Sequence, residues 1–210
     1  MRCSRIGLTG GIGSGKSTVA AMLVDAGAAL VDTDALARAL TAPGGAALPA
    51  LAQAFGPEVI GADGALDRER MRTLAFGSPQ VRRQLEAILH PMIGERARAE
   101  GERLGADGRT VVFDVPLLAE SGHWRARVER ILVVDCEEAT QEARVVARSG
   151  WSAQAVRRVM AQQAGRAPRR AIADAVIYNE ALTLAELRAQ VDALWQAWQG
   201  RPVEQSPAVR

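Results

Sequence analysis

The stretch Gly10-Gly-Ile-Gly-Ser-Gly-Lys-Ser-Thr18 decides the fold, because it satisfies the pattern G-x-x-x-x-G-K-[ST]. An apolar run at residues 6–9 precedes it, and an amphipathic stretch at about residues 15–26 follows it. The order predicts a strand, a tight loop and a helix, and in that context the pattern forms a phosphate-binding loop, or P-loop. The sequence therefore predicts an anion cradle at the start of the chain.

The residue types of this loop indicate which anion it holds. Glycines let the backbone wrap a phosphate chain, while Lys16 reaches the β- and γ-phosphates and the Ser17 hydroxyl ligates Mg²⁺. Lys16 is the only lysine among 26 lysines and arginines, which favours a position where a planar guanidinium would not fit. The candidate ATP-binding residues are Gly11, Ile12, Gly13, Ser14, Gly15, Lys16, Ser17 and Thr18.

The rest of the pattern predicts an α/β fold with a mostly parallel sheet flanked by helices. Further short apolar strands are expected at residues 29–32, 111–114, 131–135 and 175–178, and a terminal helix at 183–198. We expect one domain over residues 1–200, with a core at about 1–34, 109–150 and 174–200. A helical substrate-binding insertion is expected at about 35–108, a lid at about 151–173 and a disordered tail at 201–210.

Composition excludes several classes of protein. The formal net charge is +2 and the basic residues are scattered, which argues against a nucleic-acid partner. No run approaches the roughly 18 apolar residues that a membrane span needs, and the N-terminus lacks the apolar segment of a signal peptide. Two cysteines, Cys3 and Cys136, are typical of a reduced protein. We expect a cytoplasmic protein that is a monomer or a weak homo-oligomer.

A P-loop alone does not determine the reaction, so the reaction must be inferred from other residues. The guanine-reading pattern Asn-Lys-x-Asp is absent, because Lys16 is the only lysine and Asn179 the only asparagine. Asp32 and Asp34 follow the second predicted strand, at the sheet edge where the P-loop lies. A carboxylate there can orient an acceptor hydroxyl and take its proton, although either aspartate can equally cap the helix that follows.

Four separated stretches resemble the dephospho-coenzyme A kinase family over essentially the whole chain to about Trp198. They are Leu8-Thr-Gly-Gly-Ile-Gly-Ser-Gly-Lys-Ser17, Asp32-Thr-Asp34, Leu89-His-Pro91 and Asp114-Val-Pro-Leu-Leu-Ala-Glu120. The resemblance implies a P-loop kinase that transfers the ATP γ-phosphate to the ribose 3′-hydroxyl of dephospho-coenzyme A with Mg²⁺. Its acceptor would then contact Thr9, Asp32, Asp34, Leu89, His90, Asp114, Pro116, Leu117, Leu118 and Glu120.

The resemblance also implies roles for charged groups. Asp34 matches the family's base for the 3′-hydroxyl, and Lys16, Arg144 and Arg148 would stabilise the transferring phosphoryl group. Gln162, Gln163 and Arg166 resemble the family's lid. Asp114 is left with two roles, Mg²⁺ binding through water or substrate binding.

The chain departs from the family at two places. Arg148 is followed by Ser149-Gly150 instead of acidic residues, and the segment Val-Ile-Asp-Asn appears as Val176-Ile-Tyr-Asn179. These changes concern the lid conformation and the adenine side of the site. We assign neither His90 nor His123 to acid–base catalysis, and His90 can serve packing or a helix end.

Two other functions remain open at this point. A related kinase of nucleosides, nucleotides or another small alcohol would share the P-loop and the helical insertion. A non-catalytic ATP-dependent binding protein would close its lid on a protein partner instead. The second alternative leaves Asp32 and Asp34 unexplained.

Overall fold

A five-stranded sheet forms the centre of the computed structural model, which describes residues 4–121 and 124–200. The strands are β1 (Arg5–Gly10), β2 (Ala29–Asp32), β3 (Val111–Asp114), β4 (Arg130–Asp135) and β5 (Ala175–Tyr178). Their order across the sheet is β2-β3-β1-β4-β5, and β1 pairs in parallel with both β3 and β4. The α/β prediction with a parallel sheet is confirmed.

The strands form where the apolar runs lie, and nine helices occupy most of the remaining described chain. The helices are α1 (Lys16–Asp25), α2 (Thr33–Leu40), α3 (Leu48–Phe55), α4 (Arg68–Gly77), α5 (Pro79–Leu104), α6 (Glu138–Ser149), α7 (Ala153–Met160), α8 (Arg166–Ala171) and α9 (Leu184–Trp198). A single 3₁₀ turn spans Pro57–Val59. Strand β4 is buried along nearly its whole length, which is typical of an inner parallel strand covered on both faces.

The chain divides into two compact units, and the first comprises residues 1–30 and 104–210. Its core includes Ile6 and Leu8 from β1, Leu23 from α1 and Val191 from α9, all essentially inaccessible to solvent. Helix α9 begins with a capping box, in which the Thr183 side chain accepts from the Glu186 backbone and Glu186 reciprocates. The predicted terminal helix is confirmed, and its tryptophans pack against this core.

The second unit, Val31–Arg103, is almost wholly helical, as the sequence predicts. Its core is formed by Leu40, Ala47 and Leu51, against which Leu89 packs. The expectation that His90 lies near a helix end is wrong, because α5 is 26 residues long and runs through His90 and the proline that follows it. Apolar residues on both sides of that proline pack on the same core, which offsets the missing backbone hydrogen bond.

No helix in the described part of the chain combines the length and the apolar content that a membrane crossing requires. The expected tail at 201–210, Cys3 and His123 lie outside the described residues.

Candidate active site

The P-loop joins the end of β1 to the start of α1. Gly13 and Gly15 have φ of 75° and 95°, in the left-handed region that glycine adopts without steric strain. The Ser14 amide donates to the Gly11 carbonyl at 3.1 Å, which closes the loop on itself. Lys16 is the first residue of α1, so the positive end of the helix dipole lies at the loop.

At three glycines of the loop, neighbouring groups lie so close that a side chain would collide with them. A Cβ atom at Gly11 would lie 2.5 Å from Arg169 Nη1, and one at Gly13 would lie 2.5 Å from the Gln141 carbonyl oxygen. At Gly15 it would lie 2.3 Å from a nitrogen of the Asn179 amide. Arg169, Gln141 and Asn179 therefore form a wall behind the loop that sequence reasoning did not identify.

Asn179 and Arg144 hold the tip of the loop through backbone carbonyls. Asn179 donates from Nδ2 to the Ser14 carbonyl at 2.8 Å, and both partners are buried. Arg144 donates from Nη2 to the Asn179 carbonyl at 3.0 Å and from Nη1 to the Ser14 carbonyl at 3.5 Å. The structure thus places Arg144 at the P-loop.

Lys16 is paired with Asp114 through a hydrogen-bonded ion pair from Nζ to Oδ1. Both side chains are largely buried, at 16% and 13% exposure. The pairing follows from the sheet, because Asp114 ends β3 in register with Leu8 of β1. Asp114 therefore lies beside the phosphate-binding lysine.

Oxygen atoms suited to ligate Mg²⁺ lie close to Lys16. The Ser17 hydroxyl is exposed in the first turn of α1, one residue after Lys16, and the Asp114 carboxylate contacts that lysine. Mg²⁺ prefers a few hard oxygen ligands together with water and substrate phosphates. In the described residues no cluster of three or more His, Cys, Asp or Glu forms a metal cage, and a nucleotide-bound Mg²⁺ does not need one.

The segment from Asp114 to Glu120 is hydrogen-bonded to β1 at one end and to Ala164 at the other. Thr9, which is fully buried, donates from Oγ1 to the Pro116 carbonyl at 3.2 Å. Leu118 is buried, whereas Leu117 is 41% exposed. Glu120 accepts from the Ala164 amide at 2.6 Å.

Gln163, between α7 and α8, contacts the P-loop, since its Oε1 accepts from the Ile12 amide at 3.0 Å. Arg166 forms a partly buried ion pair with Asp135 at 2.9 Å and also pairs with Glu137. The Asp135 carboxylate holds the pKa of the Arg166 guanidinium above its ordinary value. Arg148 is exposed on α6 and donates to neighbouring Ser149.

Tyr178 replaces an aspartate of the family pattern and joins the same charged group. Its hydroxyl donates to Glu137 at 2.5 Å, which raises the pKa of the tyrosine and lowers that of the glutamate. The Arg166 guanidinium lies 5.7 Å from the Tyr178 ring centroid, within cation–π range. The departure noted in the sequence therefore gives Arg166 an additional partner.

The second unit carries the other candidate residues, namely Asp32, Asp34, Leu89 and His90. Asp32 is the N-cap of α2: Oδ1 accepts from the Ala35 amide at 2.9 Å, and Oδ2 contacts Arg38 at 3.3 Å. Asp34 is exposed in the first turn of the same helix. Of the two aspartates, the capping role thus belongs to Asp32.

Comparison with known proteins identifies the family. The family model described as Dephospho-CoA kinase matches residues 4–184. The chain belongs to the dephospho-CoA kinase family. A dephospho-CoA kinase of Bordetella pertussis is 56% identical over 198 residues, covering 92% of this chain and 90% of that protein. One of Burkholderia lata is 54% identical over 195 residues, covering 93% and 96%.

Solved structures agree with the fold of a dephospho-CoA kinase. A crystal structure of a Thermus thermophilus protein has a TM-score of 0.80 at 33% identity, covering 95% of this chain and 98% of that one. The dephospho-CoA kinase of Campylobacter jejuni has a TM-score of 0.69 at 19% identity, covering 93% and 98%. Shikimate kinase from Acinetobacter baumannii has a TM-score of 0.52 at 14% identity, covering 96% of both chains, and shows a related P-loop kinase fold.

Proposed function

We propose that this protein transfers the γ-phosphate of ATP to the ribose 3′-hydroxyl of dephospho-coenzyme A and so completes coenzyme A synthesis. The observation that carries the proposal is the P-loop with Lys16 at the head of α1, in a chain of the dephospho-CoA kinase family. The relatives' shared name supplies the acceptor. No observation favours a different small-molecule kinase or a non-catalytic binding protein.

The proposed reaction depends mainly on positioning and electrostatics. The backbone amides of the P-loop and Lys16 bind the phosphate chain, and Lys16 exchanges its Asp114 partner for phosphate oxygens. Ser17 would hold Mg²⁺, and Asp114, beside Lys16, would serve either the metal through water or the acceptor. When bound, the metal neutralises charge that develops on the transferring group.

Asp34 is proposed as the base that orients the 3′-hydroxyl and accepts its proton. Two observations support this role for Asp34: it matches the family pattern, and its side chain is exposed. Asp32, in contrast, is engaged as the N-cap of α2. Thr9, Leu89, His90 and the segment 116–120 are proposed to contact the acceptor. Arg144 and Arg148 are proposed to face the phosphates, and Arg144 already contacts the P-loop.

The deciding experiment measures ADP release from Mg²⁺-ATP with and without dephospho-coenzyme A. The expected result is acceptor-dependent ADP, with a product whose added phosphate a 3′-specific phosphatase removes. Profiling nucleosides, nucleoside monophosphates and shikimate in parallel tests the related kinases. A protein that binds ATP but shows no stimulation by dephospho-coenzyme A would refute the proposed acceptor.

A matched pair of variants tests the base. Asp34→Asn should lower kcat by roughly 10²- to 10⁴-fold while leaving ATP affinity unchanged, because general-base catalysis contributes on that scale. Asp67→Asn is the control, because Asp67 is the N-cap of α4, is not among the candidate site residues, and asparagine also caps helices. Preserved turnover in Asp34→Asn would remove Asp34 from the mechanism.

The setting of the reaction is likewise part of the proposal. We propose a cytoplasmic enzyme that acts as a monomer or weak homo-oligomer on the small molecules ATP and dephospho-coenzyme A. The low cysteine content and the mixed, scattered charge support this assignment. Size-exclusion chromatography with light scattering measures the oligomeric state directly.

A further inference from the structure

Arg169 is a buried arginine that lies against the P-loop. It belongs to α8, and only 5% of its surface is exposed. The position that a Cβ atom of Gly11 would occupy is 2.5 Å from Nη1 and 2.9 Å from Nη2 of the guanidinium. The absence of a side chain at Gly11 is what admits the guanidinium to the loop.

The charge and the hydrogen-bonding capacity of this guanidinium are incompletely satisfied. Nη1 is buried and has no hydrogen-bond partner. In the described ranges the other buried side-chain atom in this condition is Ser14 Oγ, which belongs to the same loop. Burial lowers the pKa of Arg169, and the nearby Asp135 carboxylate only partly opposes this effect. A buried cationic donor without a partner is costly, so a ligand that satisfies it binds with additional free energy.

Neighbouring arginines are already engaged. Arg166 of the same helix forms ion pairs with Asp135 and Glu137, and Arg144 donates to two backbone carbonyls. Arg170, the next residue, is half-exposed and lies 3.9 Å from Asp135. Among these, Arg169 combines burial, a free donor and contact with the loop that binds phosphate.

We propose that Arg169 is a phosphate-binding residue, whose Nη1 donates to an oxygen of the β- or γ-phosphate held by the P-loop. The proposal rests on the ATP dependence of the proposed function but not on the identity of the acceptor. An anionic oxygen supplies both missing features, because it accepts the hydrogen bond and neutralises the charge. Lys16 and Arg169 then approach the phosphate chain from different elements, the first turn of α1 and the wall behind Gly11.

Isothermal titration calorimetry of Arg169→Met and of its control Arg170→Met tests the proposal in the full chain. Methionine keeps an unbranched apolar stem but removes the charge and the donor. Arg169→Met should bind ATP about 10- to 100-fold more weakly than wild type, in line with the loss of a charge-assisted hydrogen bond. AMP should bind with unchanged affinity, because it lacks the β- and γ-phosphates. Arg170→Met should bind both ATP and AMP as wild type does.

Tripolyphosphate serves as a probe without a base or sugar. It should lose affinity for Arg169→Met to the same extent as ATP, which separates phosphate contact from an altered adenine site. ATP and tripolyphosphate affinities within two-fold of the control would overturn the proposal. Acceptor specificity does not enter these titrations, so a failure of the proposed kinase reaction would be seen separately in the ADP-release assay.

Thermal unfolding distinguishes ligand binding from a structural role. Removal of an unpaired buried charge should leave the melting temperature of the nucleotide-free protein unchanged or higher, and only the stabilisation by ATP should shrink. A guanidinium that merely supports the fold gives the opposite result, namely a lower melting temperature without nucleotide and an undiminished shift on adding ATP. That pattern would refute phosphate binding by Arg169.

Discussion

Gly15→Ala should destabilise the protein through two separable effects. The residue has φ of 95°, where an L-residue loses about 1–2 kcal/mol relative to glycine. The new Cβ would also lie 2.3 Å from Asn179 Nδ2, so that amide must move away from the Ser14 carbonyl it now binds at 2.8 Å. The buried Asn179 amide then lacks its acceptor, and the Ser14 carbonyl keeps only the 3.5 Å contact with Arg144, which adds about 1–3 kcal/mol. The expected total loss in free energy of unfolding is therefore about 2–5 kcal/mol.

Gly27→Ala isolates the backbone effect. Gly27 has φ of 105° and nothing within 4 Å of its Cβ position, so its substitution should cost about 1–2 kcal/mol. Urea unfolding followed by far-UV circular dichroism measures both variants. Equal losses for Gly15→Ala and Gly27→Ala would refute the steric argument.

A double-mutant cycle identifies the partner. In an Asn179→Ala background the obstructing amide is gone, so Gly15→Ala should then lose only the backbone contribution of about 1–2 kcal/mol. If Gly15→Ala costs as much free energy of unfolding in the Asn179→Ala background as it does in wild type, the substitution acts elsewhere in the loop. ATP titration of the same variants should show weaker binding for Gly15→Ala than for Gly27→Ala.

Three further outcomes follow from the structure. Asp32→Ala removes the cap of α2 and should lower stability by about 1 kcal/mol in urea unfolding, an effect that Asp32→Asn should largely avoid. Asp174 accepts from the Ile131 amide at 2.7 Å and pairs with Arg125, whose hydrogen bond lowers the pKa of the carboxyl. Because the folded-state pKa is depressed, its stabilisation is present above about pH 4 and is lost as pH falls through the folded pKa. The free energies of unfolding of wild type and Asp174→Asn should differ by about 1 kcal/mol at pH 7, a value that allows for solvent screening. This difference should vanish in acid. A difference that stays constant with pH would contradict the depressed pKa of Asp174. Lys16→Arg should bind ATP at least about ten-fold more weakly than wild type, although the charge is kept. The reason is that the largely buried site of the Lys16 ammonium group does not suit the wider, planar guanidinium of arginine. Wild-type affinity for ATP in this variant would contradict the argument.

The fold could be predicted largely because its strands and helices are local patterns. The P-loop motif specifies strand, loop and helix together, and short runs such as Val111–Asp114 and Ala175–Tyr178 match observed strands. The course of α5 through Pro91 could not be predicted, because a proline usually marks a helix boundary. Packing of the flanking apolar residues on the core of the second unit overrides that local signal, and packing is not visible in a local pattern.

The wall behind the P-loop shows why part of a site is hidden in the sequence. Asn179 did carry a signal, since it is the only asparagine, as Lys16 is the only lysine; the same reasoning that singled out the lysine applies to it. Arg169 carried none, because it is one of many arginines in an arginine-rich segment. Arg169 is distinguished by its burial next to Gly11 and by its Nη1, which has no hydrogen-bond partner. Both features arise because α8, far from Gly11 in the sequence, packs on β4 of the sheet. A motif specifies the groups that touch phosphate from within one loop, whereas groups that reach the same phosphate from distant elements are specified only by tertiary structure.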